Sequence, residues 1–121
     1  MQVINMLSND FLITNKYAMK NLIKNFFSRE KTDFASLIRE GAVIIDVRTA
    51  GEFKDGHIPG SRNIPLDSIQ NKMEEIRKLH KPVITVCRSG MRSKMARSIL
   101  ASGGLTVFNG GAWDVLETRI K

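Results

Sequence analysis

Two short β-branched runs, Val43-Ile44-Ile45-Asp46-Val47 and Val83-Ile84-Thr85-Val86, stand apart from segments of helical spacing, and they constrain this chain more than any other feature. From Lys31 onward such runs alternate with helical patterns, which is the rhythm of parallel βαβ units and implies an α/β domain. Asp33 is placed to cap a short helix carrying Phe34, Leu37 and Ile38 that ends at Gly41. The first buried strand then runs from Val43 and ends at Arg48. After the loop Gly56-His57-Ile58-Pro59-Gly60, a short strand around Arg62 to Ile64 is expected to lead through Pro65 into a helix reaching about Leu79. Pro82 opens the next strand, which delivers Cys87 to its C-terminal end. Ser93 to Ser102 reads as a helix stopped by Gly103-Gly104, and Leu105 to Phe108 as the last strand. Asn109-Gly110-Gly111 is read as a turn into a closing helix from Ala112 to Ile120, built around Trp113, Val115 and Leu116.

With 121 residues the chain has room for one hydrophobic core, and residues 32–121 are assigned to that domain. Residues 1–31 are rich in Asn and Lys and are read as an appendage. Within them Met19, Leu22, Ile23, Phe26 and Phe27 fall at helical spacing opposite Lys20 and Lys24, which predicts an amphipathic helix over Tyr17 to Phe27. Met19 is a candidate translation start. No run of eighteen apolar residues suggests a membrane span, and the first residues lack the pattern of a secretory signal, so a soluble cytoplasmic protein is expected.

Cys87 is the only cysteine, which excludes an internal disulfide, a Cys-x-x-Cys redox pair and a cysteine-rich zinc site. His57 and His80 have no His or Cys at ligand spacing. Neither a metal nor a cofactor is expected. The formal charge of +7 is uneven: between Glu75 and Asp114 lie Arg77, Lys78, Lys81, Arg88, Arg92, Lys94 and Arg97 without an acidic residue, and Cys87 sits in the middle. A charge run of this kind is commonly a solvated face, and a field of this sign also gathers anions and favours a thiolate. No aromatic-basic interleaving or recognisable module points to nucleic acid.

In open α/β sheets the functional crevice lies beyond the carboxyl ends of the strands, where this cysteine is placed between a strand and a helix start. The loop Cys87-Arg88-Ser89-Gly90-Met91-Arg92-Ser93 can curl its backbone N–H groups toward the sulfur, with the positive end of the following helix behind them. A free thiol ionises near pH 8.5, and such a setting with adjacent arginines lowers that value. Gly90 permits a sharp backbone turn beside the sulfur, and Ser89 and Ser93 add hydroxyl groups. An isolated cysteine after an apolar strand is commonly a buried small hydrophobe. Two arginines and a glycine so close to the thiol are a poor setting for core packing, because unpaired buried guanidinium groups are costly.

Four separated motifs together resemble the rhodanese family, from Asp33 to the C-terminus. Asp46-Val47-Arg48 followed by Glu52-Phe53 is similar to the family's aspartate-x-arginine strand end, and Gly56-His57-Ile58-Pro59-Gly60-Ser61 with Asn63-Ile64-Pro65 to its second motif. Cys87 to Ser93 resembles the active loop, and Asn109-Gly110-Gly111 with Trp113 the C-terminal motif. The resemblance implies a three-layer sandwich with a central parallel sheet of about five strands flanked by helices. It also implies ping-pong sulfur transfer, in which Cys87 takes a sulfane sulfur from a small anionic donor such as thiosulfate and passes it on from a persulfide. The acceptor is cyanide in the test tube and a thiol or partner protein in the cell. Arg88 and Arg92 are the candidates for orienting the donor, with the backbone N–H groups of Ser89 to Ser93, Gly90 and Met91 included, around the bound sulfur. Asp46, Arg48 and Glu52 are read as a paired structural cluster, His57 as a scaffold residue and Trp113 as packing beside the pocket.

Two other readings compete. Phosphatases and arsenate reductases of related architecture place five residues between cysteine and arginine, whereas four separate Cys87 from Arg92, a shorter ring than phosphate needs. A catalytically idle module that only binds a partner would be marked by loss of the cysteine, which is present.

Overall fold

The computed structural model describes residues 32–121. The amphipathic helix expected over Tyr17 to Phe27 lies outside the described residues. Helix α1 spans Phe34–Arg39, β1 Val43–Asp46, α2 Ala50–Asp55 and β2 Arg62–Asn63. Two 3₁₀ turns, Leu66–Ser68 and Gln70–Lys72, precede α3 (Met73–Arg77), followed by β3 (Val83–Cys87), α4 (Met91–Ser102), β4 (Val107–Ala112) and α5 (Trp113–Ile120).

All strand pairs are parallel, in the order β2-β1-β3-β4. The chain moves from β1 to one neighbour, β2, then returns to β1's other side for β3. The direction of winding therefore reverses between β1 and β3, and the crevice of such a sheet opens at the carboxyl ends of those two strands. Both faces of the sheet are covered, as a parallel sheet requires. Alternate residues of β1 and β3 point to opposite layers. Ile45, Val47, Val83 and Cys87 pack with Ile69, Met73, Ile76, Ala96 and Leu100 beneath α3 and α4. Ile44, Ile84 and Val86 pack with Phe34, Ile58 and Leu116 beneath α1 and α5. Each such side chain, fully buried, contributes ~1.5–3 kcal/mol.

Three elements differ from expectation. The described residues hold four strands rather than about five, because Thr32 and Asp33 lead directly into α1 and no strand precedes β1 there. The single helix expected after Pro65 is two 3₁₀ turns and a short α-helix. The apolar residues Leu66, Ile69, Met73 and Ile76 keep one face through this change, because both helix types bring residues three and four apart together. The last strand begins at Val107 and continues through Asn109-Gly110-Gly111, which is a bulged strand and not a turn. Thr85 pairs with Asn109 and Val86 with Gly111, leaving Gly110 as the extra residue. Gly111 has φ +78°, a backbone state that glycine adopts freely.

Gly110 is pressed against β3: a Cβ there would lie 2.8 Å from Ile84 Cγ2 and 3.0 Å from the Thr85 carbonyl oxygen. Gly51, on the exposed side of α2, has open space around it. Gly110→Ala is therefore expected to lower unfolding stability by ~1–3 kcal/mol, while Gly51→Ala leaves it unchanged or raises it by ~0.5 kcal/mol. Urea denaturation followed by circular dichroism checks the pair, and equal effects at both positions would contradict the bulge packing.

Candidate active site

The carboxyl end of β1 carries a buried ion pair. Arg48 donates from Nε to Asp46 Oδ1 at 2.9 Å and from Nη2 to Oδ2 at 2.6 Å, with both side chains at most 2% exposed. Two further bonds engage the terminal nitrogens: Nη1 donates to the Glu52 carbonyl at 3.3 Å and Nη2 to the Gly56 carbonyl at 2.7 Å. The guanidinium carbon lies 4.7 Å from the centroid of the Trp113 ring. Asn63 Nδ2 donates to the carbonyls of Asp46 and Arg48 from the neighbouring strand. A buried pair of this kind survives because the charges are matched and each guanidinium nitrogen has an acceptor; removing either partner alone would strand a charge at a cost of ~3–5 kcal/mol.

Glu52 leaves the Asp46–Arg48 pair and turns to the cysteine loop. Thr49 and Glu52 form a capping box at the start of α2. The same carboxylate receives Arg92 in bidentate fashion, Nη1 to Oε1 at 2.7 Å and Nη2 to Oε2 at 3.0 Å. The Arg92 hydrogen bond, then the Thr49 backbone N–H, hold the Glu52 carboxyl down to about 2, and the Glu52 hydrogen bond raises Arg92. This latch joins residues forty positions apart and ties the first turn of α4 to α2.

Cys87 ends β3 and is fully buried. Gly90, at φ +99°, bends the chain so that its own N–H reaches Cys87 Sγ at 3.0 Å, and the Ser93 N–H follows at 3.4 Å. Ser93 Oγ lies 3.4 Å from the sulfur. Thr85, two residues earlier on the same strand face, donates from Oγ1 to the Ser93 carbonyl at 2.8 Å and braces the loop from below. Burial pushes the Cys87 thiol up, and the hydrogen bonds from the Ser93 hydroxyl and from the N–H groups of Ser93, Gly90 and Ser89 outweigh it, so the thiol is lowered overall. Among the described residues no group of three His, Cys, Asp or Glu converges in a way that could hold a metal.

The structure thus brings Cys87, Ser89, Gly90 and Ser93 together around the sulfur. Arg92 is held by Glu52, whereas Arg88 is exposed and forms no ion pair among the described residues. Met91 is 68% exposed beside the loop. His57 is exposed; its Nδ1 bonds the Phe53 carbonyl at 2.7 Å and its ring stacks on Phe53 at 3.7 Å, a scaffold arrangement at the end of α2. Trp113 lies over Arg48. Asn109, which the sequence places in a turn and in the C-terminal motif without a role at the sulfur, has its Oδ1 2.6 Å from Ser93 Oγ, and Thr85 carries no site signal in the sequence; the two glycines after Asn109 signal a turn and a bulge alike.

A family model described as the rhodanese-like domain matches residues 30–115. The chain belongs to the rhodanese family. Among curated proteins it is 45% identical over 65 residues to the Bacillus subtilis protein YqhL, covering 54% of this chain and 51% of YqhL, so it spans about half the length of that relative. It is 36% identical over 81 residues to the thiosulfate sulfurtransferase GlpE of Pseudomonas savastanoi, covering 66% of this chain and 76% of GlpE. The human single-domain sulfurtransferase TSTD1 superposes with a TM-score of 0.56 at 26% identity, over 72% of this chain and 92% of that one. The parallel sheet flanked by helices is the fold this chain shares with its structural neighbours.

Because a lowered carboxylate favours the folded state above its unfolded value of about 4.3 and loses that effect on acidification, the Glu52–Arg92 latch stabilises this rhodanese at neutral pH and weakens towards pH 2. The stability difference between wild type and Glu52→Gln is expected to be flat from about pH 5 to 8 and to shrink below about pH 4. Urea denaturation at each pH checks this; a difference that grows on acidification would contradict it.

Proposed function

We propose that this rhodanese is a sulfurtransferase acting through a Cys87 persulfide, and the observation that carries the reading is the set of donors converging on Cys87 Sγ from Gly90 and Ser93. They lower the thiol and so favour the thiolate, which is the nucleophile the reaction needs. The thiolate attacks the outer sulfur of thiosulfate. A Cys87 S–S bond forms, the donor's S–S bond breaks, and its electron pair leaves with sulfite. The persulfide anion rests against the N–H groups of Ser89 to Ser93, and an acceptor thiolate or cyanide then attacks its terminal sulfur and returns Cys87 as thiolate.

The cationic stretch around the loop supports an anionic donor. Arg88, exposed and unpaired among the described residues, is the side chain free to steer it, while the Arg92 charge is engaged by Glu52. The thiosulfate sulfurtransferase relatives support the same donor. The acceptor is a thiol or a protein, since no second cysteine can resolve the persulfide. A catalytic thiol that must stay reduced suits a reducing compartment such as the cytoplasm. Among the described residues no helix is long and apolar enough to cross a membrane.

Intact mass after incubation with thiosulfate is expected to show the gain of one sulfur atom in wild type and none in Cys87→Ser, with cyanide removing the gain as thiocyanate appears. Failure to gain sulfur from thiosulfate, mercaptopyruvate or glutathione persulfide would overturn the proposal and favour a partner-binding module. Faster turnover with mercaptopyruvate would overturn the choice of donor. Arg88→Ala is expected to raise KM for thiosulfate by ~10-fold with kcat little changed, the loss of about one charge-assisted contact, as read from initial rates of thiocyanate formation.

A further inference from the structure

We propose that Asn109 is a positioning residue that sets when Cys87 ionises, by holding the one proton of the Ser93 hydroxyl away from the sulfur. Ser93 Oγ is within reach of three groups: Asn109 Oδ1 at 2.6 Å, the Gly90 carbonyl at 3.1 Å and Cys87 Sγ at 3.4 Å. A hydroxyl has one hydrogen to donate. The Asn109 amide is oriented by its other contacts, because Gly111 N–H donates to Oδ1 at 2.9 Å and Nδ2 donates to the Gly90 carbonyl at 3.5 Å; the reversed amide would set two donors against each other at Gly111 and two acceptors at Gly90. Oδ1 is therefore an acceptor, and two oxygens 2.6 Å apart need the Ser93 hydrogen between them.

With its hydrogen on Asn109, Ser93 Oγ turns a lone pair to the sulfur and accepts from the Cys87 S–H. That arrangement suits the neutral thiol. A thiolate has no hydrogen to give and gains from the hydroxyl as donor, so ionisation draws the Ser93 hydrogen from Asn109 to Sγ. Gly111 N–H stays on Oδ1 and keeps the amide oxygen satisfied. The Gly90 carbonyl is a neutral acceptor at longer range and competes less well with an anionic sulfur. Asn109 is the group that opposes the transfer.

The bulge in β4 builds this arrangement. Gly110 is the extra residue, and Gly111 at φ +78° turns its N–H back onto the side chain two positions earlier. A regular strand through Ala112 would not supply that contact. The charged groups around the loop are Arg88 within it, exposed and without an ion pair among the described residues, Arg92 on α4, paired with Glu52 of α2, and Asp46 with Arg48 at the end of β1, paired with each other. Asn109 is the neutral contribution of β4.

The test measures ionisation without any sulfur donor, through the pH dependence of Cys87 alkylation by iodoacetamide, so it is independent of the sulfurtransferase reading. Asn109→Ala is expected to move the midpoint to lower pH, giving about 3- to 10-fold faster alkylation at a fixed pH below it. Ser93→Ala is expected to move the midpoint the other way, and the double variant to match Ser93→Ala, because Asn109 acts through the hydroxyl. An unchanged or raised midpoint in Asn109→Ala, or the same downward shift in the Ser93→Ala background, would overturn the proposal. If Asn109→Ala does not fold, the isosteric Asn109→Asp keeps the Gly111 contact and is expected to raise the midpoint more with Ser93 present than without it; equal shifts would overturn the proposal.

Discussion

Burying an arginine is costly unless its charge is paired and its nitrogens find acceptors, and Arg48 meets that demand by recruiting the surrounding chain. Asp46 from the same strand takes the charge. The carbonyls of Glu52 and Gly56 each take a further N–H, which fixes both the body and the exit of α2, and Trp113 covers the guanidinium face from α5. Asn63 adds β2 by bonding the carbonyls of Asp46 and Arg48. The upper end of the sheet is thus organised around a residue that does not touch the sulfur.

The consequence for the active loop passes through Glu52. Its carbonyl is held by Arg48, its carboxylate caps α2, and the same carboxylate receives Arg92 from α4. Two strand ends that are neighbours in the sheet are joined above it by a chain of charged and backbone contacts: Asp46 to Arg48, Arg48 to Glu52, Glu52 to Arg92. The sulfur at the end of β3 then sits under a helix start fixed on one side by that latch, on another by Thr85 and on the third by Asn109.

The alternation of β-branched runs with helical spacing was enough to read an α/β domain and to place Cys87 at a strand end, because both depend on local pattern. The pairing of Asp46 with Arg48 was legible for the same reason, lying two residues apart on one strand end. Arg92 reads from the sequence as a donor-orienting residue because it is close to Cys87, whereas its carboxylate partner lies forty residues away and no local pattern reveals it. The bulge at Asn109-Gly110-Gly111 was hidden for a different reason. Glycine permits both a turn and a close approach, and only the side chains of Ile84 and Val86 on the neighbouring strand show which one is required.

The magnitudes also change the account of the thiol. A helix terminus contributes ~0.3–1 kcal/mol to an exposed charge and up to ~2 kcal/mol to a partly buried one, and exposed arginines are screened by water. A hydrogen bond to a charged acceptor contributes ~1.5–3 kcal/mol, and the sulfur has donors from Gly90 and Ser93 at 3.0 and 3.4 Å. Those contacts, not the charge of the basic stretch, overcome the burial that pushes the thiol up. The basic stretch acts at longer range, on whatever anion approaches the loop. For the proposed sulfurtransferase, two properties that the sequence places in one motif are therefore separable: backbone geometry set by Gly90 acts on the ionisation of the thiol, and side-chain charge acts on the approach of an anionic donor.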